Sequence, residues 1–337
     1  MNSGRCFVIA EVAQAHDGSL GQAHAFIDAV ARTGASAVKF QTHIADCESS
    51  PDEPFRVRFS LQDKSRYDYW KRIEFSPEEW AGLKIHAEER GLVFMSSPFS
   101  IEAVNLLLKL NVVAWKVGSG ELESIEMLEA MASSRRPIYL STGMNSYPEL
   151  DGLVTWLRER HAAFTLMQCT TQYPSSLAQV GLNVIAEYRR RYNCPVGLSD
   201  HSASIFPSLA AVTLGASALE VHVVLSREMF GPDTKASVTI DELKTLVDGV
   251  REIETMLDKP VDKDALAKEL APLKTMFGKS AYSRTQLTAG YRLRRDDVVM
   301  LKPGGGIAER HIGEWIGRPL ARAVPSRHRL SCEDFAE

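Results

Sequence analysis

The chain has 337 residues, of which 45% are apolar and 24% charged, and its 39 Lys and Arg against 43 Asp and Glu give a formal charge of −4. This balance belongs to an ordinary globular chain and excludes disordered, collagen-like and disulfide-scaffold classes. It also argues against a nucleic-acid partner, which calls for a basic surface, and the length fits one large domain with a minor appendage.

The first residues, MNSGRCFVIAEV, lack a basic segment followed by a long apolar core, so no signal peptide is expected. Short apolar runs rich in β-branched residues then alternate with amphipathic helical segments. Strands are expected at Phe7–Glu11, Ala37–Gln41, Val93–Ser97, Ala114–Val117, Ile138–Ser141, Thr165–Thr170, Val196–Ser199 and Leu219–Val224. Helices such as Leu20–Thr33, Pro77–Arg90, Ile101–Leu110 and Ile125–Ser133 follow them. The runs are apolar throughout rather than alternating, as strands buried on both faces are. Eight strand–helix units over about 250 residues predict an α/β fold of the (β/α)8 TIM-barrel kind. A doubly wound open sheet is the rival, but no GxGxxG follows the first strand.

One interval breaks the period. Between Gln41 and Val93 lies a polar and aromatic insertion, DCESSPDEPFRVRFSLQDKSRYDYWKRIEFSPEEW. It reads as a lid or part of the site, or as a peripheral excursion. After Leu257 the pattern changes: the barrel spans 1–257, a charged helical linker 258–280, and a small domain of strands and turns 281–337. The longest apolar stretch, Leu209 to Leu225, is interrupted by Glu220 and His222 and is too polar to span a bilayer. Five scattered cysteines with no CxxC pair argue against both a disulfide framework and a zinc knuckle. The cytoplasm is the expected compartment, with no membrane partner.

A barrel carries its chemistry where strands end and βα loops begin. Nearly every expected strand end holds a polar group: Glu11, Lys39 with Gln41, Ser97, Lys116 with Ser119 and Glu121, Ser141, Thr171 with Tyr173, Ser199, His201, and Glu220 with His222. Lys39 and Lys116 sit in apolar strand contexts, where an unpartnered charge is costly. Each could pair with a core carboxylate, clamp an anion, or act as a Schiff-base nucleophile. The hydroxyls at Ser97, Ser119, Ser141, Thr171 and Ser199 favour the clamp. His201 and His222 on neighbouring strand ends could hold a borderline divalent ion or be satisfied core residues. Glu11, Glu121 and Glu220 are acid/base candidates, or partners of the lysines and histidines. His16 and His43 fall in loops near the site, whereas His24, His86 and His161 fall on helices and are expected at the surface.

These residues lie in segments that resemble the bacterial sialic acid synthases, a family that includes N-acetylneuraminate, legionaminate and pseudaminate synthases. The carrying segments are IAEVAQAHDGSL, GASAVKFQTHI, SSPFS, WKVGSGELES, YLSTGMN, QCTTQYPSS, GLSDHS and LEVHVVLSREMFGPDTKAS, in that order along almost the whole chain. LKPGGGI and IGRPLARAVPSRHRL look like the family's antifreeze-like domain. The resemblance implies condensation of phosphoenolpyruvate with an N-acylated mannosamine-type sugar, assisted by Mn2+ or by Mg2+ or Co2+. It implies that Lys39, Ser97, Lys116, Ser119, Ser141, Thr171 and Ser199 hold phosphoenolpyruvate and that His201 and His222 hold the metal. Glu11 and Glu121 are implied near the acceptor sugar or the attacking water, with Gln41, Tyr173, Asp233 and Lys302 on the sugar. A domain-swapped homodimer is implied as well, because the family's antifreeze-like domain reaches into the partner's barrel.

The chain departs from the family pattern at Ala15, which precedes His16 where the family has Asn, at Thr171 in place of Asn, and at Lys302 in place of Arg. Lys lacks the planar fork of Arg, so the departures bear on the acceptor, and a diacetamido trideoxy sugar joins N-acetylmannosamine as a candidate. Two other readings stay open: a metal-free aldolase using Lys116 as a Schiff base, and a non-catalytic sugar-binding homologue.

Overall fold

In a computed structural model, residues 4–336 are described. They form two compact units, Met1–Asp258 and Lys259–Glu337. The first unit runs β1 (Phe7–Ala13), α1 (Leu20–Ala31), β2 (Ala37–Thr42), α2 (Ala45–Glu48), α3 (Arg66–Ile73), α4 (Pro77–Glu89), β3 (Val93–Pro98) and α5 (Ile101–Lys109). It continues β4 (Trp115–Val117), α6 (Ile125–Ser133), β5 (Ile138–Ser141), α7 (Tyr147–Glu159), β6 (Phe164–Cys169), α8 (Leu182–Tyr192) and β7 (Val196–Asp200). It ends with α9 (Phe206–Thr213), β8 (Ala218–Val224), a short β9 (Val238–Thr239) and α10 (Ile240–Asp258).

Strands β1 to β8 pair in parallel in the order β3-β2-β1-β8-β7-β6-β5-β4. β3 also adjoins β4, so the sheet curls into a nearly closed (β/α)8 barrel. All eight expected strands form, with ends shifted by a residue or two. Ala114 lies just before β4, and Thr170 just beyond β6.

Side chains alternate along each strand, and this alternation separates packing from chemistry. The outward set, including Val8, Ala10, Val38, Phe94, Leu140, Leu198 and Val221, packs in the core shared with the helices. Inward, Ile9, Ala37, Met95, Ala114, Tyr139, Met167 and Ala218 form an apolar floor. Gly197 completes that level, because a Cβ there would lie 2.3 Å from Met167 Sδ and 2.5 Å from Ala218 O. Two residues further along each of the eight strands stand Glu11, Lys39, Ser97, Lys116, Ser141, Cys169, Ser199 and Glu220. The period of two therefore stacks a polar layer directly on the apolar floor at the C-terminal mouth.

The second unit begins with two helices, α11 (Lys263–Glu269) and α12 (Ala271–Phe277). The segment expected as a helical linker is thus helical and groups with this unit. A hairpin of β10 (Ser280–Ser283) and β11 (Val298–Leu301) follows, with isolated bridges tying it to later segments. Ala281, Leu287, Leu293, Val298, Leu320, Val324 and Leu330 fill its own small core. Buried Asp334 fastens the C-terminal segment, accepting from Arg322 Nη2 at 2.7 Å and pairing with His328 Nε2 at 3.0 Å. Among the described residues no helix is long and apolar enough to cross a membrane.

Candidate active site

The polar layer opens into a cavity of about 550 Å³ in the first unit. Fifteen of the sixteen residues singled out from sequence line it: Glu11, Lys39, Gln41, Ser97, Lys116, Ser119, Glu121, Ser141, Thr171, Tyr173, Ser199, His201, Glu220, His222 and Asp233. Lys302 belongs to the second unit, where it is exposed with its Nζ 5.7 Å from the Phe277 ring.

At the base, two lysines and two carboxylates interlock. Lys39 Nζ lies 2.7 Å from Glu11 Oε2 and 3.7 Å from Glu220 Oε1, and it donates to Ser97 Oγ at 3.0 Å. Lys116 Nζ lies 3.5 Å from Glu220 Oε1 and donates to Ser141 Oγ at 2.8 Å. Strand register produces this: Glu11 is level with Lys39 on one side and His222 on the other, and Ser199 with Glu220. Ser199 Oγ donates to Glu220 Oε1 at 3.3 Å, while Glu220 Oε2 has no hydrogen-bond partner. Burial raises the Glu11 carboxyl above its ordinary range despite the Lys39 ammonium beside it. Burial would raise Glu220 too, but Lys116 and Lys39 together hold it below the usual range. Lys116 is lowered by desolvation, with Glu220 opposing. The two carboxyls are pushed in opposite directions, Glu11 toward its neutral form and Glu220 toward its ionised form.

Hydroxyls ring the base. Ser119 Oγ accepts from Gly143 N at 2.9 Å. Thr171 Oγ1 is buried without a hydrogen-bond partner, and Gly143 makes room for it: a Cβ there would lie 2.4 Å from that oxygen. An unpartnered buried hydroxyl at the edge of a cationic cluster is a ready donor for an anionic ligand.

One level higher stand His201 and His222, their ring centroids 5.2 Å apart. His201 Nδ1 lies 2.9 Å from Thr170 O, so that nitrogen donates and Nε2 keeps its lone pair. Desolvation drives both imidazoles down to about 3, which leaves them neutral and able to ligate. Two neutral imidazoles on neighbouring strand ends offer two ligand nitrogens to a borderline divalent ion. Among the described residues no group of three or more His, Cys, Asp or Glu is placed to hold an ion. Such an ion would therefore draw its remaining donors from substrate and water.

The insertion supplies the mouth. Glu53, Phe55, Arg56, Phe59, Arg66, Tyr69 and Trp70 all line the cavity, so it is part of the site. The Arg56 guanidinium lies 4.1 Å over the Tyr173 ring and 3.1 Å from Asp233 Oδ1. Tyr173 in turn stacks on His201 at 4.0 Å. Burial raises the Asp233 carboxyl, with Arg56 opposing. Sequence reasoning named no individual residue of the insertion, and it passed over Gln14, Glu48 and Cys169. Cys169 was legible as the residue two beyond the floor residue Met167. The others depend on loop paths that no short-range pattern encodes. His24 and His86, expected at the surface, are half-buried with their Nδ1 atoms 2.7 Å apart, because α1 packs against α4.

A family model described as the NeuB family matches residues 26–262. The N,N'-diacetyllegionaminic acid synthase of Legionella pneumophila is 30% identical over 332 residues, covering 95% of this chain and 92% of that protein. The human N-acetylneuraminate-9-phosphate synthase is 34% identical over 299 residues, covering 88% of this chain and 82% of that protein. Among solved structures, the sialic acid synthetase of Leptospira borgpetersenii, in complex with citrate, aligns with a TM-score of 0.70 at 28% identity. That alignment covers 81% of this chain and 92% of that one.

Proposed function

From the premise that this chain belongs to the NeuB family of sialic acid synthases, we propose that it is a transferase condensing phosphoenolpyruvate with an N-acylated mannosamine-type sugar. The acceptor is N-acetylmannosamine or a 2,4-diacetamido-trideoxy hexose, and the products are a nine-carbon 2-keto sugar acid and phosphate. The observation that carries this reading is the pairing of Lys39 and Lys116 with short hydroxyls directly beneath two neutral imidazoles.

The ammonium groups of Lys39 and Lys116, with hydroxyls from Ser97, Ser119, Ser141, Thr171 and Ser199, bind the phosphate and carboxylate of phosphoenolpyruvate. Glu220 holds both lysines in place while staying ionised. The enol carbon C3 attacks the aldehyde carbon of the open-chain sugar, water adds to C2, and phosphate leaves with C–O cleavage. Glu11, whose carboxyl is shifted toward neutrality, takes the proton of that water. A divalent ion at His201 and His222, Mn2+ or else Mg2+ or Co2+, supplies Lewis acidity toward the aldehyde oxygen when bound. Gln41, Glu121, Tyr173 and Asp233 face the acceptor, and holding both substrates together removes much of the entropic barrier.

The second unit is proposed as the antifreeze-like domain, reaching with Lys302 toward the barrel of a partner subunit in a homodimer. A Schiff-base aldolase is the second reading, favoured by the lowered Lys116 amine. The deciding assay measures phosphate release and keto-acid formation from phosphoenolpyruvate with a panel of acetamido sugars and Mn2+. Absence of phosphate release with every acceptor sinks the condensation reading.

A further inference from the structure

His43 and Glu48 are built too deliberately to be mere wall. His43 follows the last residue of β2, and Glu48 closes α2 five residues on. The imidazole lies flat between two aromatic rings, Trp70 at 3.8 Å and 11° and Phe99 at 4.5 Å and 9°. Its Nδ1 is 2.6 Å from Glu48 Oε1, and both side chains are nearly buried, 5% and 7% exposed. Glu48 Oε2 is itself held, accepting from Ile44 N at 3.3 Å. A ring so clamped can neither turn over nor slide.

The clamp aims the other nitrogen at one place. With Nδ1–H on Glu48, His43 Nε2 presents its lone pair and accepts from Gln14 Nε2 at 3.3 Å, with Gln41 Oε1 3.1 Å away. Gln14 Nε2 also donates to Gln41 Oε1. With its oxygen claimed from that side, the Gln41 amide must turn its nitrogen inward, where Nε2 donates to Glu11 Oε1 at 3.0 Å. The opposite amide orientation would set an oxygen against the Glu11 carboxylate and lose this bond. Glu11 then has one oxygen on Gln41 and the other on Lys39. β1 carries a bulge just after Glu11, and Ala13 has a left-handed φ of 49°, which sends the chain into the loop that presents Gln14.

We propose that His43 and Glu48 form a positioning dyad that fixes the Gln14 amide, which in turn holds the Gln41 amide and, through it, the Glu11 carboxyl against Lys39. The inference rests on the reading of Glu11 as the group that handles the attacking water. His43 acts through Gln14 and Gln41 and is not itself a catalytic residue.

Two measurements test it, one of which needs no turnover. His43→Phe keeps the aromatic sandwich and removes both ring nitrogens. A crystal structure of this variant should show the Gln41 amide displaced from Glu11, whereas His43→Gln, which restores an acceptor toward Gln14, should keep the contact. In steady state His43→Phe should lower kcat about tenfold or more with the KM for phosphoenolpyruvate changed less than threefold, and His43→Gln should recover much of the loss. Pairing His43→Phe with Gln41→Met should cost no more than Gln41→Met alone, because both act on one chain of contacts. If His43→Phe does not fold, Glu48→Gln, which keeps the ring and its stacks, should show the same displacement and the same kcat loss in weaker form. An unmoved Gln41 overturns the proposal, as do an unchanged kcat or losses that multiply in the double variant. Absence of phosphate release in the wild type refutes the condensation reading alone, since the crystallographic arm still decides the dyad.

Discussion

Replacing Lys116 by Met keeps the length of the side chain and removes the charge from the base of the cavity. Lys116 is 3% exposed, with one ammonium proton on Ser141 Oγ at 2.8 Å, a second toward Val117 O at 3.4 Å, and Glu220 Oε1 3.5 Å away. An incoming phosphate or carboxylate takes the remaining proton as a charge-assisted hydrogen bond, worth about 1.5–3 kcal/mol. One such bond amounts to about 10–10² in kcat/KM for phosphoenolpyruvate. The sign is reinforced by the neighbours: without Lys116, the ionised Glu220 has only Lys39, at 3.7 Å, to offset its repulsion of the anion. The assay is steady-state phosphate release at saturating acceptor, with thermal melts as a control for folding. The apparent KM for phosphoenolpyruvate should rise and kcat fall, yet turnover should persist, because Lys39 and the histidines remain. A Schiff base predicts the opposite: turnover is abolished, and borohydride with pyruvate traps an adduct on the wild-type lysine. Complete loss together with that adduct would refute the clamp.

Further outcomes follow from the same geometry. His222→Ala should abolish activity while leaving the circular dichroism spectrum of the barrel intact, and a chelator should inactivate the wild type reversibly; full activity in chelator rules out the metal role. Removing residues 281–337 should leave the (β/α)8 unit folded, since its core is separate, but turnover should collapse, and light scattering should report a dimer for the full chain and a monomer for the truncated one; a truncated enzyme of normal activity ends the trans-acting role. His16, buried between Phe40 and Phe75 with its Nδ1 accepting from Gly18 N at 3.1 Å, is driven by desolvation from 6.5 down to about 3. A folded-state value below the unfolded one means this stability is fully present above pH 6.5 and lost as pH falls toward 3, at about 1.4 kcal/mol per pH unit. The thermal midpoint should therefore drop between pH 6.5 and 4.5, and His16→Phe should flatten that drop; an equal slope in both proteins contradicts it.

What the sequence alone determined is the part governed by short periods. Eight apolar runs separated by helical segments dictate the barrel. Within each run, two-residue alternation places Glu11 above Ile9, Lys39 above Ala37, Lys116 above Ala114 and Glu220 above Ala218, so the charged base is legible from the chain. The motif segments carried the family resemblance for the same reason, since each lies at a strand end where the backbone leaves little freedom. Only the tertiary structure decided what comes together over long separations. Arg56 meets Asp233 across 177 residues, and Gln41 meets Glu11 across 30, because strand order puts β2, β1 and β8 side by side. The opposite shifts of Glu11 and Glu220, identical in chemistry, also arise there: one carboxyl has one lysine beside it and the other has two. The insertion shows the same division. Its polar and aromatic composition marked it as unusual, but loop backbones have no repeating geometry, so only packing over the barrel mouth selected Arg56, Trp70 and Glu48 as parts of the site.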